Sequence, residues 1–225
     1  MKRNQKTKNM ALFAMFLAIE LVLLNTPLGY IRTPLLSITL MHIPVIAAGI
    51  LMGPAYGAAL GLVFGLTSVW NATMSPSAAS FVFSPFVTIG GISGNWTSLI
   101  IALVPRILLG YLAGIFFRLF NKKFNRPLAA LFAGILATFC HTLMVLGLIY
   151  LLWGPQYATA IGQSPDTLLM YLSLVVVTNG LGEMAAAGLV SMALAKAIKP
   201  TMVGTVTNSK NKNVDDQAQA KGVAA

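Results

Sequence analysis

Residues 98–120 read SLIIALVPRILLGYLAGIFFRLF, a run that stays almost entirely apolar around Arg106 until Arg118. A bilayer core of about 30 Å takes about 20 apolar residues of helix, so this stretch is long enough to span it. At about 1.5 Å of rise per residue, Arg106 falls about 12 Å along the helix, well inside the hydrocarbon. A guanidinium keeps its charge at physiological pH and costs about 3 kcal/mol in lipid on insertion scales, so it must face protein, water or an anion. Pro105 frees a backbone carbonyl and weakens the helix at the same depth.

Composition extends this reading to the whole chain. Hydrophobic residues make up 57% of the 225 and charged residues only 9%, against about 25% charged in soluble domains. The mean hydropathy is +0.80. The expectation is an all-α integral membrane protein. A net charge of +10 suggests nucleic acid as a partner until its distribution is considered. Of the 15 Lys and Arg, 13 lie at the N-terminus, in the loop holding Arg118, Lys122, Lys123 and Arg126, or in the tail from Lys196. These are the places that the positive-inside rule assigns to the cytoplasm. No nucleic-acid partner is expected; the lipid bilayer is. Cys140 is the one cysteine and has no partner for an internal disulfide. A basic start followed by an apolar run, with no small-residue cleavage site before Pro27, reads as a retained first helix rather than a signal peptide.

Six transmembrane helices follow, with both termini cytoplasmic. Residues 1–9 form a basic cytoplasmic N-terminus, 10–199 a six-helix membrane domain, and 200–225 a polar tail expected to be disordered. Helix 1 (10–27) carries Ala11, Ala14 and Ala18 on one side, where small residues let another helix approach, and Glu20 two-thirds of the way across. Helix 2 (36–52) is interrupted by His42 and Pro44. Helix 3 carries Gly57, Gly61 and Gly65 as a packing stripe and ends in Thr67, Ser68, Trp70 and Asn71. The external segment 73–95 holds Phe81, Phe83 and Phe86 among Ser-Pro and Gly turns and reads as a lid or re-entrant segment. Helix 4 is the Arg106 helix. Helix 5 (128–153) contains His141, and helix 6 (166–196) contains Thr178, Asn179 and Glu183.

Arg106, Glu20, Asn71 and Trp70 fall in the outer half, with His141, Asn179 and Glu183 nearer mid-depth. Together with Thr67 and the external Arg32, they predict a polar cavity open to the outside as the substrate-binding site. The alternative is a set of internal ion pairs, Arg106 with Glu20 or Glu183. No Cys or carboxylate accompanies His141 at ligand spacing, so no metal site is expected. Gly91-Ile-Ser-Gly94 matches the GxSG around the nucleophile of rhomboid intramembrane proteases, but Ser93 lies in a glycine-rich external loop and that family's histidine helix motif is missing. No catalytic residues and no enzyme activity are expected. Without a GxxxxGK[ST] phosphate loop, any ATP-driven step needs a partner.

Several stretches resemble a known family. The small size, the six helices, the Ala14-x-x-x-Ala18 pair, and the run from His42-Ile-Pro-Val-Ile-Ala-Ala-Gly49 through Gly53-Pro-Ala-Tyr-Gly57 to Gly65-Leu-Thr-Ser68 look like the substrate-binding S component of an energy-coupling factor (ECF) vitamin transporter. Val104-Pro-Arg-Ile-Leu-Leu-Gly110 also fits. The resemblance covers about residues 10–199. It implies a multi-pass protein of the bacterial plasma membrane that captures a small water-soluble vitamin from outside. It also implies a transmembrane coupling subunit and two ATPase subunits, which use the ATP; no cofactor is expected on this chain. In this family the alanine-bearing face of helix 1 is the docking surface, which here means Ala11, Ala14 and Ala18. The chain is most similar to pantothenate-specific members, with pyridoxine, hydroxymethylpyrimidine, riboflavin and folate as alternatives. A self-sufficient secondary transporter is the rival of a different class.

Overall fold

Three glycines determine how the centre of the bundle is assembled. In the computed structural model, which describes residues 2–27, 29–31 and 38–198, Gly57, Gly61 and Gly65 lie against helix α4 (Trp96–Phe120). They sit on α3 (Pro54–Met74). A methyl group at Gly57 would overlap the Gly110 carbonyl, and one at Gly61 would overlap the carbonyl of Arg106 itself. Gly110 and Gly114 answer from the other side, against Gly57 and Pro54. Backbone therefore meets backbone at the level of Arg106, as small-residue stripes allow.

The remaining helices surround this pair. α1 (Lys2–Leu24) precedes α2 (His42–Met52), and α5 (Arg126–Ala160) follows α4. The last span is one long element in three parts: α6 (Leu168–Val175), a π-helical turn (Val176–Gly180) and α7 (Leu181–Ala197). Counted with its leading 3-10 turn, this span joins α1, α3, α4 and α5 as the five helices among the described residues that are long and apolar enough to cross a membrane, and α2 is a shorter sixth. The all-α membrane architecture expected from sequence is the one observed.

Two boundaries differ from expectation in ways that matter for function. Helix 2, expected over 36–52, begins only at His42. Pro44 lies in its first turn, where a missing N–H costs nothing, so it marks a start rather than an interruption. At about 16 Å, α2 fills only half of the bilayer. Above it lies a short antiparallel hairpin of β1 (Tyr30–Ile31) and β2 (Ile38–Thr39), with Tyr30 opposite Thr39. Helix 5, expected to end at Trp153, continues through Pro155 to Ala160. Trp153 and Tyr157, one turn apart, are buried against Phe81, Leu168 and Leu172, and this packing carries the helix past the proline.

Gly53 joins α2 to α3 with φ 112°, a left-handed conformation that a side chain would strain, and Pro54 opens α3. α1 starts at Lys2, so the basic residues at the N-terminus prolong the first helix instead of preceding it. Arg32 and the tail from residue 199 lie outside the described residues.

Candidate ligand-binding site

A cavity of about 350 Å³ opens between α3, α4, α5 and the π turn, at the end of the bundle away from the basic α4–α5 turn. This lies at the small end of the range for ligand pockets, about 300–1,000 Å³. Its roof combines the β1–β2 hairpin with the segment between α3 and α4. That segment folds as a 3-10 turn (Ser80–Val82) and a hairpin of β3 (Thr88–Ile89) and β4 (Ile92–Ser93). Phe81 is fully buried, edge-on to Trp153 with ring centroids 5.2 Å apart, and anchors the segment to α5.

Arg106 occupies the wall. It is only 7% exposed, and its guanidinium carbon stands 5.6 Å from the Phe64 ring centroid and 5.1 Å from that of Phe83. One Nη1–H donates to the Ile101 carbonyl at 2.6 Å, and Nε has no partner among the described residues. Neither acid suggested as a counter-ion is paired with it. Both Glu20 oxygens are buried with no partner among the described residues, and the Glu183 Oε1 accepts from the Thr39 N–H at 2.8 Å. The arrangement is a buried cation, fixed between two rings, with donors left over. Such a group is costly unless an anion or water meets it.

Around it are groups suited to a small, mixed polar and apolar ligand. His141 and Thr142 project from α5, with Val145 and Leu146 one turn further along. The His141 Nε2 and the Thr142 hydroxyl are buried without partners among the described residues. Asn179 lies within the π turn and Glu183 just beyond it, and both reach the cavity. A π turn inserts one residue into the helix, and such turns often occur at functional sites. Tyr30 comes from the hairpin, its hydroxyl 3.1 Å from Ser68 Oγ. Burial raises the Tyr30 phenol above its ordinary range, so it remains a neutral hydroxyl.

Of the residues expected from sequence, Arg106, Asn71, His141, Asn179 and Glu183 line the cavity. Three others do not. Trp70 is 58% exposed, turned outward by the helical step of about 100° that separates it from Asn71. Thr67 is buried and bonds back to the Phe64 carbonyl at 2.9 Å. Glu20 is fully buried on the inner face of α1 and does not line the cavity. Arg32 lies outside the described residues. Sequence reasoning missed Tyr30, Thr39, Ser68, Phe64 and Phe83. Of these, Ser68 was signalled by its place in the polar group ending α3, and Phe83 by its place in the aromatic external segment 73–95.

Ala11, Ala14 and Ala18 are all exposed. Only 11% of the α1 span Thr7–Leu24 is buried, against 33 to 44% of the other four spans, so this helix presents most of its surface outward. Ser93, the serine of the GxSG match, takes part in a local hydrogen bond. It is exposed on β4, and its hydroxyl lies 2.9 Å from that of Thr88.

A family model described as ECF transporter, substrate-specific component, matches residues 8–195. The chain is 35% identical over 210 residues to the protein named pantothenic acid transporter PanT of Lactococcus lactis subsp. cremoris, a match covering 92% of this chain and 100% of that protein. It is 30% identical over 207 residues to the pantothenate transporter PanT of Leuconostoc mesenteroides subsp. mesenteroides, covering 88% and 95% respectively.

Proposed function

We infer the role of this chain from its family, for it belongs to the substrate-specific components of ECF transporters. It is a membrane transport protein, multi-pass in a bacterial plasma membrane. Its substrate is pantothenate, the vitamin named for both relatives. Pantothenate has a carboxylate at one end, an amide in the middle, and two hydroxyls beside a dimethyl-bearing carbon at the other. The observation that carries the reading is Arg106, a buried guanidinium on a cavity wall with no protein anion paired to it among the described residues. A carboxylate meets it with charge-assisted hydrogen bonds, which are about twice as strong as neutral ones. Glu183, Asn179, His141 and Tyr30 supply acceptors and donors for the amide and hydroxyls, and Val145 and Leu146 supply apolar surface for the methyl groups.

The chain captures its ligand from the outer face and delivers it through a transmembrane coupling subunit driven by two separate ATPase subunits. The exposed alanine face of α1 supports this part of the reading, because small residues unpartnered within the chain leave room for a helix of another protein. The chain itself acts as a binding protein and performs no chemical step. Reconstitution in liposomes tests this assignment. Pantothenate uptake is expected only when the coupling and ATPase subunits and internal ATP are all present. Uptake by this chain alone, driven by an ion gradient, would overturn it in favour of a secondary transporter.

A further inference from the structure

We propose that the cytoplasmic corner between α4 and α5 is a binding surface for an anionic phospholipid of the inner leaflet. Lys122 and Lys123 in the turn after α4 are exposed, and Arg118 near the end of α4 is exposed as well, its guanidinium reaching toward Gly53 at the α2–α3 turn. Arg126 opens α5 and donates Nη1 to the Ile198 carbonyl, while its buried Nη2 has no partner among the described residues. That bond draws the end of α7, with the exposed Lys196, to the same corner. The acids among the described residues are Glu20, Asp166 and Glu183, and all three lie in the outer half of the chain or its outer connections. None of the acids among the described residues therefore lies near the cations at this corner.

Directly beneath the charges is a tier of rings. Phe116, Phe120 and Phe124 follow one another at helical spacing with centroids 6.4 Å apart at each step, and Phe132 of α5 closes the group at 6.2 Å from Phe120 and 5.2 Å from Phe124. Phe124 and Phe132 are exposed at 42% and 39%. A soluble anion would answer the cations and leave these rings uncovered. A phospholipid answers both, its phosphate among the lysines and its chains along the phenylalanines. The position also argues for lipid over a protein partner. α5 packs mainly on α4 and α7, whereas the exposed helix α1 packs on α2 and α3, so Phe132 and the turn that leads into α5 are carried by helices other than those that hold the proposed docking face.

The test uses the full chain purified in neutral detergent and titrated with phosphatidylglycerol, phosphatidylcholine, or glycerol phosphate as a headgroup-only probe, with bound lipid read by native mass spectrometry. Saturable binding of phosphatidylglycerol is expected, weakened by salt and well above that of phosphatidylcholine. A Lys or Arg near an anionic surface contributes about 1 kcal/mol, or about fivefold in affinity. The double variant Lys122→Gln, Lys123→Gln should thus bind phosphatidylglycerol about 30-fold more weakly. Phe124→Ala with Phe132→Ala should also weaken it, and glycerol phosphate should not compete. Retained pantothenate binding shows that each variant is folded, and the single exposed replacements Arg118→Gln and Lys196→Gln give the same readout should a double variant fail to fold. Equal binding of the two phospholipids, or competition by glycerol phosphate at similar concentration, overturns the proposal. So does unchanged lipid preference in the lysine variant with lost assembly to the coupling and ATPase subunits, which would assign the corner to a protein.

Discussion

Replacing Arg106 separates a ligand anchor from an internal structural pair. In the ligand-free protein the guanidinium makes one charge-assisted hydrogen bond, to the Ile101 carbonyl at 2.6 Å, and stands over two rings. Losing these contacts costs about 1.5–3 kcal/mol for the bond and about 2 kcal/mol for each ring at a desolvated site. Against this stands the desolvation of a buried cation without a counter-ion, itself several kcal/mol, which Arg106→Ala relieves. The two nearly cancel, so the Tm of the ligand-free variant should stay within a few degrees of wild type. Binding has no such offset. Removing one partner of a buried charged contact costs about 2–5 kcal/mol, so pantothenate affinity should fall by roughly 30-fold to several thousand-fold. Arg106→Lys should recover only part of this, because an ammonium lacks the planar fork that meets both carboxylate oxygens. Isothermal titration of the purified protein and thermal unfolding in the same detergent give both numbers. Unchanged affinity with a clearly less stable apo protein, rescued by Glu20→Gln or Glu183→Gln, would refute the reasoning and restore the internal pair.

The other expected outcomes concern packing, docking and the roof. Gly61→Ala places a methyl group against the Arg106 carbonyl, and overpacking of this kind should lower stability by about 1–3 kcal/mol and weaken ligand binding together with it, as thermal unfolding and titration would show. Replacing Ala14 and Ala18 with Leu should abolish uptake in the reconstituted transporter while the isolated chain still binds pantothenate; loss of binding as well would make this face an internal seam. Glu183→Ala removes the acceptor of the Thr39 N–H, so hydrogen exchange around β1 and β2 should speed up and ligand dissociation should quicken. Equal exchange with and without the carboxylate would remove Glu183 as a tie between the roof and the last span.

Much of the scaffold is legible in the sequence because bilayer physics leaves few choices. The glycines at 57, 61 and 65 could serve only a close helix contact, and α4 meets them there. Arg106 announced itself by cost alone. What the sequence hides is rotation and local interruption. Trp70 and Asn71 have the same depth and similar polarity signals, yet one faces outward and the other the cavity, and depth does not determine the angle. Glu20 likewise lies two residues from Ala18, on the opposite side of α1, where it is buried behind the docking face instead of lining the site. The apolar residues before His42 suggested a full-length second helix. Pro44 in the first turn starts a short one, and the space left above it admits the hairpin that brings Tyr30 and Thr39 to the cavity. Phe64 looks like an ordinary membrane phenylalanine, and Phe83 like one of three rings in an external segment, until Arg106 is placed between them. The π turn at Val176–Gly180 has no signature in hydrophobic periodicity, although it holds two cavity residues, Asn179 and Gly180, and precedes Glu183.

The central claim is that this cavity recognises pantothenate through its carboxylate. Its most direct measurement is the affinity of the purified full-length chain for pantothenate beside pantothenyl alcohol, in which the carboxylate is reduced to a hydroxyl and the rest of the molecule is kept. The account predicts saturable one-to-one binding of pantothenate, with the alcohol weaker by roughly 30-fold or more, and a difference that largely disappears in Arg106→Ala. Equal binding of the two compounds by the wild-type chain, or saturable binding of riboflavin or pyridoxine with none of pantothenate, would contradict it.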